Sequence, residues 1–181
     1  DCDGTTDEDL AAPLNPNQQG LCSGTLQSCL GVAGWGEDYS SVLGYGMTED
    51  PDDQYLDENC DGIDGDVLAA VFVSSLGSDD GTCDVGAPCL TINHAIGAAV
   101  SRGLTGVYVQ SGSYPETLVL ADGIDIIGGY DSSWIRDDRG LDGHHVELIG
   151  TSDANGEYVA VSASGVNAGL SGLLVRAPDA A

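Results

Sequence analysis

Within the segment DENCDGIDGD, Asp57, Asn59 and Asp61 stand two residues apart and are followed by Gly62. This spacing reproduces the opening of a calcium-wrapping loop: oxygen ligands on alternate residues, a glycine for the sharp turn, then a ligand carbonyl, here that of Ile63. The glutamate that usually closes such a loop is absent, because Leu68 stands at its position. Asp64 and Asp66 are the expected substitutes, closing a shorter loop. Asp1, Asp3, Asp7 and Asp9, with the carbonyl of Thr5, offer a second oxygen set. Hard all-oxygen ligands select Ca²⁺ over softer ions, so Ca²⁺ is the expected cofactor. A third acidic stretch, GSDDGTCD at residues 77–84, reads as a turn.

Six cysteines admit 15 connectivities. Pairing near neighbours gives Cys22–Cys29 and Cys83–Cys89, and leaves Cys2 with Cys60. No Cys-x-x-Cys pair occurs, which argues against a zinc site of the usual spacing. Nucleophile motifs are also missing: there is no Gly-x-Ser-x-Gly.

The whole chain sets limits on what this chemistry serves. Its 181 residues carry 30 acidic and 4 basic side chains, a formal charge of -26. Such a polyanion repels phosphate backbones and anionic lipid, which excludes nucleic-acid binding and membrane docking; no apolar run is long enough to insert in a bilayer. Disorder is excluded over most of the chain, because 41% of the residues are apolar and they gather in strand-length runs. Cysteine-rich, glycine-rich and without lysine, the chain is expected to work outside the cell or on its surface. Its start at Asp1 reads as that of a processed chain or a piece of a longer one.

Two modules are expected. Residues 1–66 hold 16 of the acids and no arginine, with little strand pattern, and read as an Asp/Cys-rich calcium-binding module held by crosslinks. Residues 67–181 hold all four arginines and short β-rich runs such as VFVSS, GVYVQS, IDIIGG and VELIG. The pairs Ile127-Gly128, Ile149-Gly150 and Ser171-Gly172 are each 22 residues apart, which suggests a solenoid repeat. In TINHAIGAAVSRG, Ile92, Ala95, Ile96, Ala99 and Val100 form one helical stripe, with Thr91 as N-cap and Gly103 just past the end. The fold expected is mainly β: a right-handed parallel β-helix with an N-terminal capping helix at about 91–102, preceded by the loop-rich module.

DCDGTTDE and DENCDGIDGD resemble the Asp- and Cys-rich repeats of secreted myxobacterial proteins, a motif named for a copper-binding surface protein of methanotrophs. VFVSS, GTCDVGAPCLTINHAIGAAV, GVYVQSGSYPETLVL and GIDIIGGYDSSW resemble the N-terminal part of the pectin-lyase-like parallel β-helix proteins. The first resemblance brings copper into question, which would want His, Met or Cys ligands. His94, His144, His145 and Met47 are scattered, and His144 and His145 are adjacent, so they read as surface residues.

The function expected is that of a secreted or cell-surface structural or adhesive protein, not an enzyme, stabilised by Ca²⁺ and disulfides and assembling end to end as a homo-oligomer or fibre. One alternative is a carbohydrate-active β-helix enzyme, a polysaccharide lyase or hydrolase, using Arg136, Asp137, Asp138 and Arg139. The other is a non-catalytic module that binds surface carbohydrate through Trp35 or Trp134.

Overall fold

The computed structural model describes residues 11–137, 143–152 and 156–176. The chain divides into two compact units, Asp1–Asp66 and Val67–Ala181.

The first unit has little regular structure. A 3-10 turn, Gly20–Cys22, precedes a short antiparallel hairpin of β1 (Ser28–Cys29) and β2 (Trp35–Gly36), whose tip is a second 3-10 turn, Gly31–Ala33. Its apolar core consists of Cys22, Tyr39 and Cys60, with Leu21, Val42 and Tyr45 at the margin, and the Tyr39 and Tyr45 rings stack at 4.8 Å. So small a core cannot hold a module of this length alone, and polar contacts and a covalent link supplement it. Asn15, buried at 2% exposure, donates to the carbonyls of Leu26 and Asp38 and accepts the Asp38 N–H, which ties the chain before the hairpin to the chain after it. A bridge between Cys22 and Cys60 closes the unit.

The second unit is built of short strands and one helix. In chain order they are β3 (Ala70–Val73), α1 (Ile92–Arg102), β4 (Gly106–Gln110), β5 (Gly112–Pro115), β6 (Leu118–Val119), β7 (Asp125–Tyr130), β8 (Val146–Ile149), β9 (Thr151–Ser152), β10 (Tyr158–Val159), β11 (Val161–Ser162), β12 (Leu170–Ser171) and β13 (Leu173–Arg176). They form a four-stranded parallel sheet in the order β12-β7-β4-β3, a three-stranded parallel sheet β13-β8-β5, a parallel pair β11-β6 and an antiparallel pair β10-β9. Val71, Val73, Val107, Val109 and Ile126 lie in a core with Ile92, Ala95, Ile96 and Ala99 of α1. On the sheet's aromatic side, Phe72, Tyr108, Tyr130 and Trp134 make ring contacts of 4.8–6.0 Å. Burial on both faces explains the unbroken apolar runs of these parallel strands.

The helix has the expected ends. Thr91 accepts the His94 N–H through its side chain, and Gly103 takes a left-handed backbone with its N–H on the carbonyls of Ala99 and Val100. Two more N-terminal amides, of Ile92 and Asn93, are accepted by the Glu116 carboxylate at 2.8 and 3.0 Å, which satisfies groups that no residue within the helix can reach. Val100 is not on the buried stripe; it is 55% exposed.

The expected right-handed parallel β-helix with an N-terminal capping helix is not what forms. The strands resolve into several small sheets of at most four strands, some parallel and some antiparallel. Pairing offsets are uneven: Val71 pairs with Val107, Val107 with Ile126 and Ile126 with Leu170, separations of 36, 19 and 44 residues. Of the 22-residue series, Gly128 and Gly172 do meet, because a Cβ on Gly128 would lie 2.4 Å from the Gly172 carbonyl oxygen. Gly150 belongs elsewhere, against Ala160. Nor does α1 precede the strands as a lid; it follows β3 and connects it to its parallel neighbour β4, the usual place of a crossover helix.

Candidate functional site

The segment carrying the expected ligands is folded around a residue outside it. Glu49, 7% exposed, accepts the amides of Glu58 and Asn59 on Oε2, at 2.6 and 3.0 Å, and that of Gly65 on Oε1 at 2.8 Å. Burial pushes its carboxyl up to about 7, the charge of Asp64 adds to this, and the three amides oppose it. Within the loop, Asn59 Oδ1 accepts the Asp61 N–H at 2.9 Å and Asp61 Oδ1 accepts the Ile63 N–H at 3.3 Å. Asp57 Oδ2 accepts the Gly62 N–H at 3.0 Å. The Asn59 and Asp61 contacts make two successive Asx turns, and the Asp57 contact closes the curl across five residues.

The oxygens differ in how they are used. Asp57 Oδ1 is buried and has no hydrogen-bond partner among the described residues. Burial raises the Asp57 carboxyl, with the charge of Asp61 adding; the nearby amides of Gly62, Cys60 and Asp61 oppose it, and of these Gly62 alone is in hydrogen-bond geometry, on Oδ2. The Asn59 side-chain amide donates to Asp61 Oδ2 and to the Gly65 carbonyl. Ile63 and Asp64 are buried, Asp64 accepting the Asp52 N–H, while Asp61 is exposed and Asp66 half-buried. The loop thus brings the Asn59 and Asp61 side chains into contact and sets Asp57 on the Gly62 amide. No three of the acidic side chains at residues 49–66 bring their oxygens within 4.8 Å of one another. Asp1, Asp3, Thr5, Asp7, Asp9 and Cys2 lie outside the described residues.

Two disulfides are described. Cys83–Cys89 joins the neighbours expected. The expected Cys22–Cys29 link is replaced by Cys22–Cys60, which also removes the expected Cys2–Cys60 pair; Cys29 is bridged too. The reason is packing. Gly20 lies directly against Asp57, and the Leu21 N–H donates to the Asp57 carbonyl at 3.2 Å, so Cys22 is delivered to the acidic segment and not to the hairpin.

No family model matches this chain, and comparison with characterised proteins and with solved structures gives no match either.

Other sequence candidates are accounted for by local roles. Asp79 in the third acidic stretch holds the residue that caps α1: its carboxylate accepts the amides of Leu90 and Thr91 and the Thr91 hydroxyl. Burial opposes charge there, but those donors and nearby His94 outweigh it and hold the carboxyl below the usual range. Arg136 and Asp137 are buried, with Arg136 Nε donating to the Gly128 carbonyl at 3.2 Å; Asp138 and Arg139 lie outside the described residues. Trp134 packs on Phe72 and offers no open face, whereas Trp35 is 36% exposed on the hairpin. His144 Nδ1 bonds the Gly129 carbonyl at 2.8 Å. A cleft of about 310 Å³ beside α1 is lined by Leu90, Thr91, Tyr114 and Glu116. Its polar groups are engaged, since Glu116 caps the helix and the Tyr114 hydroxyl donates to the Gln110 carbonyl.

One cluster was missed from sequence. Cys83, Cys89 and His94 place a ligand atom each within 4.8 Å of the others. Its signal in the sequence is a cysteine, Cys89, five residues before a histidine at the start of a helix, and a crosslink between near neighbours already accounts for both cysteines.

No helix among the described residues is long and apolar enough to cross a membrane.

Proposed function

We propose that this chain is a secreted structural or adhesive protein whose first unit is fixed by disulfide crosslinks and by Ca²⁺ at residues 57–66. The observation that carries the reading is Asp57 Oδ1, a buried carboxylate oxygen with no partner among the described residues, in a loop already curled by Asn59 and Asp61. An unpaired buried carboxylate oxygen costs free energy that a hard cation would recover. Asp57, Asn59, Asp61 and the Ile63 carbonyl would hold the ion, and a bound Ca²⁺ would supply rigidity, not chemistry. The disulfides suit an oxidising, extracellular setting.

Association between copies fits the same role. Among the described residues, β12 and β13 stand at sheet edges with Leu170, Leu174 and Val175 40–48% exposed, the kind of edge on which a second copy can pair.

Thermal melting with excess Ca²⁺ and with chelator tests the reading. For an extracellular-type site, saturation adds about 1–2 kcal/mol, a rise of several degrees. Asp57→Ala should abolish the rise. Identical melting with and without chelator sinks the calcium reading, and a strictly monomeric species in sedimentation at every concentration sinks the association.

A further inference from the structure

We propose that Cys83, Cys89 and His94 form a redox-gated site for a thiophilic d10 cation, with Zn²⁺ as its representative. The proposal is independent of the calcium reading and concerns the other unit.

Three ligand atoms within 4.8 Å of one another meet the first requirement of such a site. The second is that the sulfurs stay in place once the bond between them is broken, and here the backbone ensures it. The Cys83 carbonyl accepts the Phe72 N–H at 2.8 Å, the Cys89 N–H donates to the Phe72 carbonyl at 2.8 Å, and the Cys89 carbonyl accepts the Ser74 N–H at 2.9 Å. Both cysteines are therefore fastened to the β3 segment by main-chain hydrogen bonds, with their Cα atoms 4.6 Å apart. The loop between them is closed again by the Asp84–Ala87 bridge and by Arg102, which donates to the Thr82 carbonyl and pairs with Asp84. None of these contacts needs the disulfide.

His94 comes from the first turn of α1, held there by Thr91, and its ring is on the exposed side while both cysteines are buried. The ion would thus enter from the histidine side. Asp79 holds the start of the helix that carries His94, accepting the Leu90 and Thr91 amides and the Thr91 hydroxyl.

The chemistry has two steps. A small dithiol gives two electrons and two protons to the Cys83–Cys89 bond and closes to its own cyclic disulfide, leaving two thiols. Zn²⁺ then displaces both thiol protons to solvent and takes two thiolates and the neutral imidazole, with water in the fourth position. In an oxidising medium the pair stays crosslinked and the site is shut.

The test uses the full chain, reduced with excess dithiol and freed of it without air, titrated with Zn²⁺ against a chromophoric chelator and with Co²⁺ by absorbance. About one ion should bind the reduced chain, with a thiolate-to-Co²⁺ charge-transfer band, and none the oxidised chain. His94→Gln, an exposed change that leaves oxidised melting intact, should weaken Zn²⁺ by about tenfold or more. Cys83→Ser with Cys89→Ser should remove the band while keeping the other thiols. The proposal is overturned if the reduced chain binds no ion, if the double serine variant keeps the band, or if His94→Gln binds as tightly. It is equally overturned if the oxidised chain binds as well, or if hydrogen exchange shows that reduction strips protection from β3, α1 and β4, because the backbone of that unit is required to hold both sulfurs.

Discussion

Gly20 lies so close to Asp57 that no side chain fits between them: a Cβ on Gly20 would sit 2.2 Å from the Asp57 carbonyl oxygen and 2.5 Å from its Cβ. Gly20 also takes a left-handed backbone, φ 48°. Gly20→Ala should therefore cost about 2 kcal/mol or more, from overlap and backbone strain together. It should also weaken any Ca²⁺ response, because the same contact sets the position of Asp57. Chemical denaturation in chelator measures the first effect. A stability equal to that of the parent would show that the two segments can separate freely.

Glu49 gives the first unit a pH dependence of defined sign. Its carboxyl ordinarily titrates near 4.5 and is pushed up to about 7 in the folded unit. Between these values the folded chain holds a proton that the unfolded chain has released, so this contribution to stability is full below 4.5 and is lost as pH rises through about 7. Glu49→Gln should flatten the difference in stability between pH 5 and pH 8 relative to the parent, measured in chelator. An unchanged pH profile would remove Glu49 from this role.

The two bridges should differ in weight. Cys22–Cys60 spans 38 residues and Cys83–Cys89 spans 6. On the chain-entropy model they contribute about 4 and about 2 kcal/mol. Replacing Cys22 and Cys60 by serine should unfold the first unit selectively, because its apolar core includes both cysteines. Hydrogen exchange by mass spectrometry would read this as loss of protection within residues 11–66 while β3, β4 and β7 stay protected. Uniform loss over both units would contradict it.

Glu116 reaches α1 from beyond β5 and accepts two of its first amides. Glu116→Ala should cost about 1–2 kcal/mol, comparable to the loss of an N-cap, with fraying confined to the first turn of the helix. Glu116→Gln, which keeps one acceptor oxygen, should cost less. Equal stabilities for all three chains would assign the capping to Thr91 alone.

What the sequence made legible was local. The helix could be read to its caps, because Thr91, Gly103 and the stripe Ile92, Ala95, Ile96, Ala99 all act within a few residues of one another. Val100 departs from the pattern, since a stripe of five residues by spacing has four buried members in the fold. The strands were legible as apolar runs, whereas their partners were not. A run such as VFVSS gives no indication that it pairs with a strand 36 residues away and not 22. Cys22–Cys60 was hidden for a similar reason: the contact that selects it is between Gly20 and Asp57, and neither residue type signals the other. Glu49 lay outside the acidic segment it organises, with no spacing to connect them.

The uneven register has a consequence for how the second unit comes into being. Its parallel strand-to-strand pairs join residues from 19 to 44 positions apart, Val107 with Ile126 at one extreme and Ile126 with Leu170 at the other. Each loop must close before any ladder rewards it, which places folding among the slow, high-contact-order cases of milliseconds to seconds or beyond. The helix can flicker in and out within about a microsecond, yet nothing holds it until β3 and β4 meet. Newly made chains therefore spend their longest interval with bare β-rich segments in solution. During that interval a charge of -26 keeps chain from chain, so the acids guard the folding route as well as dressing the finished surface.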